Sequence, residues 1–119
     1  STAQYIDKPL VILINEYTAS AAEIVSGAVK DYGSGTLVGV KTFGKGVVQT
    51  VFPLDGNTSV RLTTDKYLTP NKSDIHNKGI QPDVEIVLKE GEKPTILPEG
   101  PPFDSQLAKA VEIMEQMID

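Results

Sequence analysis

The sequence predicts an α/β fold, with one domain over residues 1–119 that contains a mixed sheet, a βαβ unit, a hairpin and a C-terminal helix. A length of 119 residues suits a single compact core. Two short runs rich in Val and Ile flank a segment with helical spacing, and two β-branched segments flank an Asp-Gly-Asn turn. With 39% apolar and 23% charged residues, the composition is that of a globular protein and excludes disordered and collagen-like chains.

The βαβ unit is predicted from residues 9–40. Residues 9–15, PLVILIN, form a continuous apolar run that suits a strand buried on both faces, and we expect it at the centre of the sheet. A second apolar run covers residues 36–40. Between them the spacing predicts an amphipathic helix that stops at Gly33 or Gly35. Its apolar residues are Ile24, Val25, Ala28, Val29 and Tyr32.

The remaining elements follow in chain order. VVQTVFPL and TSVRLTTDKYL on either side of residues 55–57 predict a hairpin, and residues 84–88 predict one more short strand. Residues 89–103 are rich in Pro and Gly, which predicts an exposed connection. Residues 104–118 return to helical spacing, with Asp104 as the N-cap. The apolar stripe of this helix is Leu107, Val111, Met114 and Ile118.

Composition also limits the partners and cofactors. Eleven basic against 16 acidic residues give a net charge of −5, which repels a phosphate backbone, so we expect no nucleic-acid partner. The chain has no cysteine and one histidine, so we expect no metal site and no cofactor. The longest apolar run, residues 10–14, is far shorter than the roughly 18 residues of a membrane span.

Ser20 is a candidate nucleophile because it lies between the first strand and the first helix. A hydroxyl at a helix N-terminus is close to unpaired N–H groups and to the positive end of the helix dipole, which together stabilise an oxyanion. The alternative is structural. Ser20-Ala21-Ala22-Glu23 matches a capping box, in which Ser20 and Glu23 bond to each other's backbone N–H. This segment alone favours the cap.

A nucleophilic serine also needs a base. His76 is the only histidine, and with Asp74 it would form an orienting pair only if both folded onto Ser20. Lys45, between Gly44 and Gly46, has few polar neighbours, so we expect it to be buried if it is a base and exposed if the loop is a simple glycine turn. A lysine that is neutral near pH 7 requires on the order of 4 kcal/mol of desolvation.

Residues 39–46, GVKTFGKG, also imitate a phosphate-binding loop up to the last position. Gly46 stands where that motif has the Ser or Thr that binds magnesium. The motif further requires a helix to follow, whereas VVQTVF is typical of a strand. We therefore expect no nucleotide site here.

Taken together, LVILINEYTASAAEI, LVGVKTFGKGVVQ, YLTP and GIQPDVEI resemble the carboxyl-terminal processing (tail-specific) serine peptidases in order and spacing. The resemblance implies a partial crotonase/ClpP-like protease core. It also implies that Ser20 is the nucleophile, that Lys45 is the base and that Gln49 orients Lys45. Ala21 would supply one N–H to the oxyanion. Thr18 and Ala22 depart from the family pattern, which often has serine at these positions.

The same resemblance implies a polypeptide substrate, in the form of unfolded proteins cleaved near their C-termini, and a location in a bacterial cell envelope or a chloroplast lumen. The family's PDZ domain and its second oxyanion segment have no counterpart in these 119 residues. We therefore expect a fragment of a longer protease that is weak or inactive by itself. An exposed edge strand would offer a second copy of the chain a place to pair as a homodimer.

The competing interpretation is a non-catalytic binding module of the same fold, as in the related retinoid-binding repeats of the eye. In that case Ser20 would only cap its helix, and Lys45 would be a surface charge. The two interpretations differ in where they place the side chains of Ser20 and Lys45.

Overall fold

The computed structural model describes residues 8–95 and 100–118, so residues 1–7, 96–99 and 119 of the predicted domain lie outside the described part. The elements, in chain order, are β1 (Val11–Ile14), α1 (Ala21–Tyr32), β2 (Thr36–Gly39), β3 (Val47–Leu54), β4 (Thr58–Lys66), β5 (Val84–Glu85) and α2 (Ser105–Ile118). The predicted α/β class and its strand, helix, strand order are confirmed.

The main sheet is parallel, with the strand order β1-β2-β5. β1 pairs with β2 from Val11 opposite Thr36 to Ile14 opposite Gly39. The expectation that the first strand is central is wrong within the described residues, because β1 is the edge strand and Leu13 is 43% exposed. β2 is central, and its Leu37 is fully buried. An apolar run predicts a strand, but strand order depends on pairing between distant segments.

The outer edge of β1 has no partner strand in the described part of the chain. A second copy would pair there if the chain formed the homodimer that we expect from the sequence. That dimer stays a prediction, and the mass of the protein in solution at high concentration would test it.

The hairpin forms a sheet of its own. β3 pairs antiparallel with β4, and a β-bulge interrupts the register between Val48 and Gln49. In residues 8–95 and 100–118 no strand joins this pair to the main sheet, so parallel and antiparallel pairing occur in two separate sheets and not in the predicted mixed sheet. Every residue of β4 is exposed. Alternation predicted two strands correctly, but it does not determine which sheet they join.

Helix α1 buries its polar and small side chains. Glu23, Ser26 and Gly27 are buried, whereas Val25 is 58% exposed. The predicted apolar stripe therefore does not face the core, apart from Val29, which packs against it. Gly27 lets the helix approach residue 69 closely, because a Cβ there would lie 3.0 Å from Thr69 Cγ2. The predicted stop is confirmed at Gly33, which has a φ of 61°.

The core lies between α1, the sheet and the loop that follows β4. It contains Ile14, Leu37, Ile75 and Ile80. Nearby, the Lys30 ammonium donates to Asp83 Oδ1 at 2.7 Å and ties α1 to the residue before β5. Burial acts to raise the pKa of Asp83, but the hydrogen bonds from Lys30 and the Leu37 N–H outweigh it and lower that pKa.

Helix α2 begins as predicted, because Asp104 Oδ1 accepts from the N–H groups of Gln106 and Leu107. The helix contacts β1 and β2. Of its predicted stripe, Leu107, Val111 and Met114 are half-buried and Ile118 is exposed. The preceding connection is mostly exposed where it is described. Neither described helix is long and apolar enough to cross a membrane.

Candidate active site

Ser20 occupies a sharp turn between β1 and α1. Its φ of 56° and ψ of −120° lie in a region that non-glycine residues rarely adopt, at a cost of about 1–3 kcal/mol. The residues before it fix the turn, since the Asn15 N–H donates to Thr18 Oγ1 at 3.0 Å. A strained turn between a strand and a helix is also where α/β-hydrolases hold their nucleophilic serine. We call residues 15–20 the serine turn.

The capping box, which was the structural alternative for Ser20, forms a normal hydrogen bond only in its Glu23 half. The Ser20 N–H donates to Glu23 Oε2 at 3.0 Å, which is the Glu23 half of the box. The Glu23 N–H donates to the backbone oxygen of Ser20 at 2.9 Å. The Ser20 hydroxyl approaches the same N–H without a side-chain capping bond of normal geometry. The cap and the nucleophile interpretations are thus compatible, because the hydroxyl is not committed to the helix.

Glu23 joins the serine turn to the loop of Lys45. Its side chain is fully buried, and Oε1 accepts from the Gly44 N–H at 2.6 Å while Oε2 accepts from the Lys45 N–H at 2.8 Å. Oε2 also accepts from the Ser20 N–H. One buried side chain therefore sets the relative position of the backbones of Ser20 and Lys45.

Thr42 completes this network. Its Oγ1 donates to Glu23 Oε1 at 2.5 Å and accepts from the Ile80 N–H at 2.7 Å. The Phe43 N–H donates to the Thr18 oxygen at 3.0 Å, which ties residues 40–46, the lysine loop, directly to the serine turn. Sequence analysis assigned Glu23 only to the cap and gave Thr42 no role. A single sequence carries no signal that these two residues meet.

Glycine is required where the lysine loop touches the segment after β4. At Gly79, whose φ is 67°, a Cβ would lie 2.3 Å from the Thr42 oxygen. At Gly46 a Cβ would lie 2.7 Å from the His76 N. Both contacts are closer than real Cβ atoms tolerate, so the lysine loop and the segment after β4 approach each other through their backbones.

Ser20 and Lys45 line one cleft of about 360 Å³, which we call the Ser20 cleft. Its other lining residues are Val47, Val48, Gln49, Val51, Arg61 and Tyr67. Within the described residues, no hydrogen bond joins the side chains of Ser20, Lys45 and Gln49. The structure brings the three predicted residues to one cavity but does not pair their polar atoms.

Lys45 is exposed, whereas the sequence predicted a buried lysine for the catalytic interpretation. The physical reason is local. Gly44 and Gly46 are the buried members of the loop, and they pack their backbones against residues 75–79. Lys45 instead lines an open cleft together with residues of the hairpin. The described residues position this lysine but do not desolvate it.

Gln49 lies beside the β-bulge and is exposed along the same cleft. Ala21 is the first residue of α1, and its N–H has no acceptor within residues 8–95 and 100–118. The next three N–H groups of the helix donate to the backbone oxygens of Ala19 and Ser20. Unpaired N–H groups in the first turn of a helix favour a negative charge nearby.

The alternative base pair is not brought to this cleft, whose lining contains neither Asp74 nor His76. Asp74 Oδ1 accepts from the His76 backbone N–H at 2.9 Å, so the carboxylate forms a local turn and does not orient the imidazole. That backbone hydrogen bond is the main reason why the pKa of Asp74 is lowered. The His76 Nδ1 is buried without a hydrogen-bond partner in the described part of the chain.

The lysine loop leads into strand β3, as predicted, and not into the helix that follows a phosphate-binding loop. Within residues 8–95 and 100–118, no three His, Asp or Glu side chains converge as metal ligands do.

The chain is an α/β protein with a serine in its cleft. This serine lies in a strained turn between a parallel strand and a helix. The sequence pattern of peptidase family S41 matches residues 1–86. The chain therefore belongs to the S41 peptidases, which agrees with the resemblance seen in the sequence.

Among relatives, the chain is 52% identical over 81 residues to the carboxyl-terminal-processing protease of Synechocystis sp. (strain ATCC 27184 / PCC 6803 / Kazusa), a match that covers 68% of this chain and 19% of that protein. It is 46% identical over 78 residues to the chloroplastic C-terminal processing peptidase of Tetradesmus obliquus, covering 66% of this chain and 17% of that protein. The chain thus spans about a fifth of the length of such relatives.

Among solved structures, the photosystem II D1 C-terminal processing protease matches with a TM-score of 0.63 and 46% identity, over 66% of this chain and 20% of that chain. The tricorn protease matches with a TM-score of 0.62 over 92% of this chain and 10% of its own, at 24% identity. The second similarity concerns the fold alone.

Proposed function

We propose that this chain carries the nucleophile and the base of a carboxyl-terminal-processing serine peptidase. The single observation that supports this most strongly is the strained serine turn, joined by the buried Glu23 side chain to the loop of Lys45 across one cleft. A serine that only capped a helix would need no such backbone strain, because ordinary N-caps have β-region dihedrals.

In the proposed reaction, neutral Lys45 takes the proton of the Ser20 hydroxyl as Oγ attacks the peptide carbonyl carbon. The Ala21 N–H donates to the oxyanion of the tetrahedral intermediate. Lys45 then returns the proton to the departing amine, and an acyl-enzyme ester remains on Ser20. Water attacks the ester, gives one proton to Lys45 and releases the new C-terminus, while Ser20 recovers its proton. Gln49 orients the ammonium.

The substrate in this proposal is an unfolded polypeptide cleaved near its C-terminus, and the protein acts outside the cytoplasm. Two relatives support this, one named as a carboxyl-terminal-processing protease and one as a chloroplastic C-terminal processing peptidase. We also propose that residues 1–119 form one domain, part of a crotonase/ClpP-like core. The exposed side chain of Lys45 supports slow turnover by these 119 residues alone.

Cleavage of an unfolded protein with an apolar C-terminal tail tests the proposal. We expect Ser20→Ala to lower kcat by about 1000-fold or more. Lys45→Arg should lower it similarly, because arginine keeps its proton. Matched controls are Ser34→Ala, in the exposed turn after α1, and Lys41→Arg, an exposed lysine of the same loop. Retained cleavage in either dyad variant would contradict the roles proposed for Ser20 and Lys45, whereas a full-length protein that binds polypeptides without cleaving them would favour the binding module.

A further inference from the structure

Arg61 is the permanent cation of the Ser20 cleft. It lies on β4 opposite Val51, and both residues line the cleft. Residues directly opposite each other in an antiparallel pair project from the same face, so Arg61 is on the cleft side of the hairpin. The other side of the hairpin is apolar and includes Phe52, Leu54, Val60 and Leu62.

The charge of this cleft is opposite to that of the chain. The chain carries a net charge of −5, whereas the lining of the cleft contains Lys45 and Arg61 and no Asp or Glu. Within residues 8–95 and 100–118, Arg61 forms no ion pair, while Lys30, Lys66 and Lys109 each lie within 4.0 Å of a carboxylate. A cation that folding leaves unpaired in a cleft is available to a ligand.

The surroundings of Arg61 specify that ligand further. The rest of the lining mixes the apolar side chains of Val47, Val48 and Val51 with polar groups of Ser20, Gln49 and Tyr67. A cleft that is lined by a β-hairpin and contains a guanidinium suits an extended polypeptide that carries a carboxylate, since the planar guanidinium forms paired hydrogen bonds with that group.

We propose that Arg61 is a specificity residue that binds a carboxylate of the polypeptide held in the Ser20 cleft. The proposal rests on the proposed peptidase function and adds a preference within it. The carboxylate comes either from an Asp or Glu side chain near the bond to be cleaved or from the free C-terminus of the polypeptide. Both sources present the same chemistry to Arg61, and peptides can separate them.

The test measures peptide binding by the full protein in its Ser20→Ala form, so that the result does not depend on cleavage. The probes are four peptides of alanine and valine, each labelled with an uncharged dye, that contain one Glu or one Gln and end in a carboxylate or a carboxamide. We expect Arg61→Gln to weaken the peptides that carry the recognised carboxylate by about 5-fold, the size of a partly exposed charge pair. The uncharged peptide should change by less than about 2-fold.

Two further variants control for charge. Arg61→Glu should reverse the preference, so that the Gln peptide with a carboxamide binds best. Lys93→Gln removes one positive charge from the exposed connection and should leave the preference unchanged. In the protein with Ser20 intact, Arg61→Gln should raise KM for the carboxylate peptide and leave kcat within about 2-fold.

Equal weakening of all four peptides by Arg61→Gln would overturn the proposal, because it would assign Arg61 to the structure of the hairpin. An equal effect of Lys93→Gln would overturn it too, because it would assign the preference to net charge. A carboxylate preference in Ser20→Ala without cleavage by the Ser20 protein would contradict the peptidase and keep the binding role of Arg61. Cleavage without any carboxylate preference would support the peptidase and contradict the binding role of Arg61.

Discussion

The serine turn and lysine loop differ from the hairpin in how they are held. The first two are joined by a buried carboxyl group with four donors, from Ser20, Thr42, Gly44 and Lys45. The hairpin of β3 and β4 is held by its own ladder, and all of β4 is exposed. Both regions border the same cleft.

The comparison shows that one region positions Ser20 and Lys45, whereas the other determines how much water surrounds the Lys45 side chain. Polar bonds to Glu23 place the backbones of the candidate nucleophile and base without any help from the hairpin. The environment of the Lys45 side chain depends on the hairpin wall, which is open on the described side. Position in this site is therefore encoded by buried polar contacts, whereas the low-dielectric surroundings that a lysine base requires come from what covers the cleft.

Replacing Glu23 should have the largest effect. Glu23→Ala leaves buried N–H donors without an acceptor, and we expect a loss of about 3 kcal/mol or more in the free energy of unfolding. Glu23→Gln keeps one acceptor oxygen and should lose about 1–2 kcal/mol. Urea denaturation monitored by circular dichroism measures both.

The matched control is Glu112→Gln on the exposed face of α2, where Glu112 pairs with Lys109 and we expect a change within about 0.5 kcal/mol. If Glu23→Gln were as mild as this control, the polar network would not hold the two loops together.

An intermediate effect is expected for the hydroxyl of Thr42. Thr42→Val removes both the donor to Glu23 and the acceptor of the Ile80 N–H, and should lower the free energy of unfolding by about 1–3 kcal/mol. Thr50→Val makes the same chemical change on the hairpin, where the Thr50 hydroxyl bonds only the exposed Thr64 at 3.0 Å. We expect less than about 0.5 kcal/mol there. The same denaturation measures both variants. Equal losses in the free energy of unfolding would mean that the Thr42 hydroxyl is no more important to stability than the exposed Thr50 hydroxyl of the hairpin.

The smallest effect is expected on the apolar side of the hairpin. Leu62 is 52% exposed, so Leu62→Ala should change the free energy of unfolding by no more than about 0.5 kcal/mol. Leu37→Ala, the same change at a fully buried position of β2, should cost about 2–5 kcal/mol. Thermal denaturation of the two variants side by side gives the comparison, and a large loss at Leu62 would mean that another part of the protein covers this face.

Much of the fold could be predicted because its signals are local. The strand, helix, strand order, the stop at Gly33 and the cap at Asp104 follow from apolar runs and terminal residues, which neighbouring residues decide. The position of β1 in the sheet and the separation of the hairpin could not be predicted in this way. Both depend on which distant strands pair, and alternation is the same in either case.

The candidate site also has features that the sequence predicted and features that it did not. Spacing and family resemblance place Ser20, Lys45 and Gln49 in the chain, and the structure brings them to one cleft. Their catalytic roles stay proposals. The exposure of Lys45 contradicts the burial that we expected for a base, because loop composition does not report how neighbouring elements cover a side chain.

By itself, the sequence determined the α/β class, the order of the main elements and membership of the S41 peptidases, since these depend on local residue patterns and on motif order. The extent of β5, which was expected over residues 84–88 and covers Val84–Glu85, was not determined in this way. Only the tertiary structure decided that Glu23 lies buried between two loops, that the polar side of α1 faces inward and that Arg61 lines the cleft. Each of these requires residues far apart in the chain to meet. Such meetings depend on the packing of the whole chain, which no local pattern specifies.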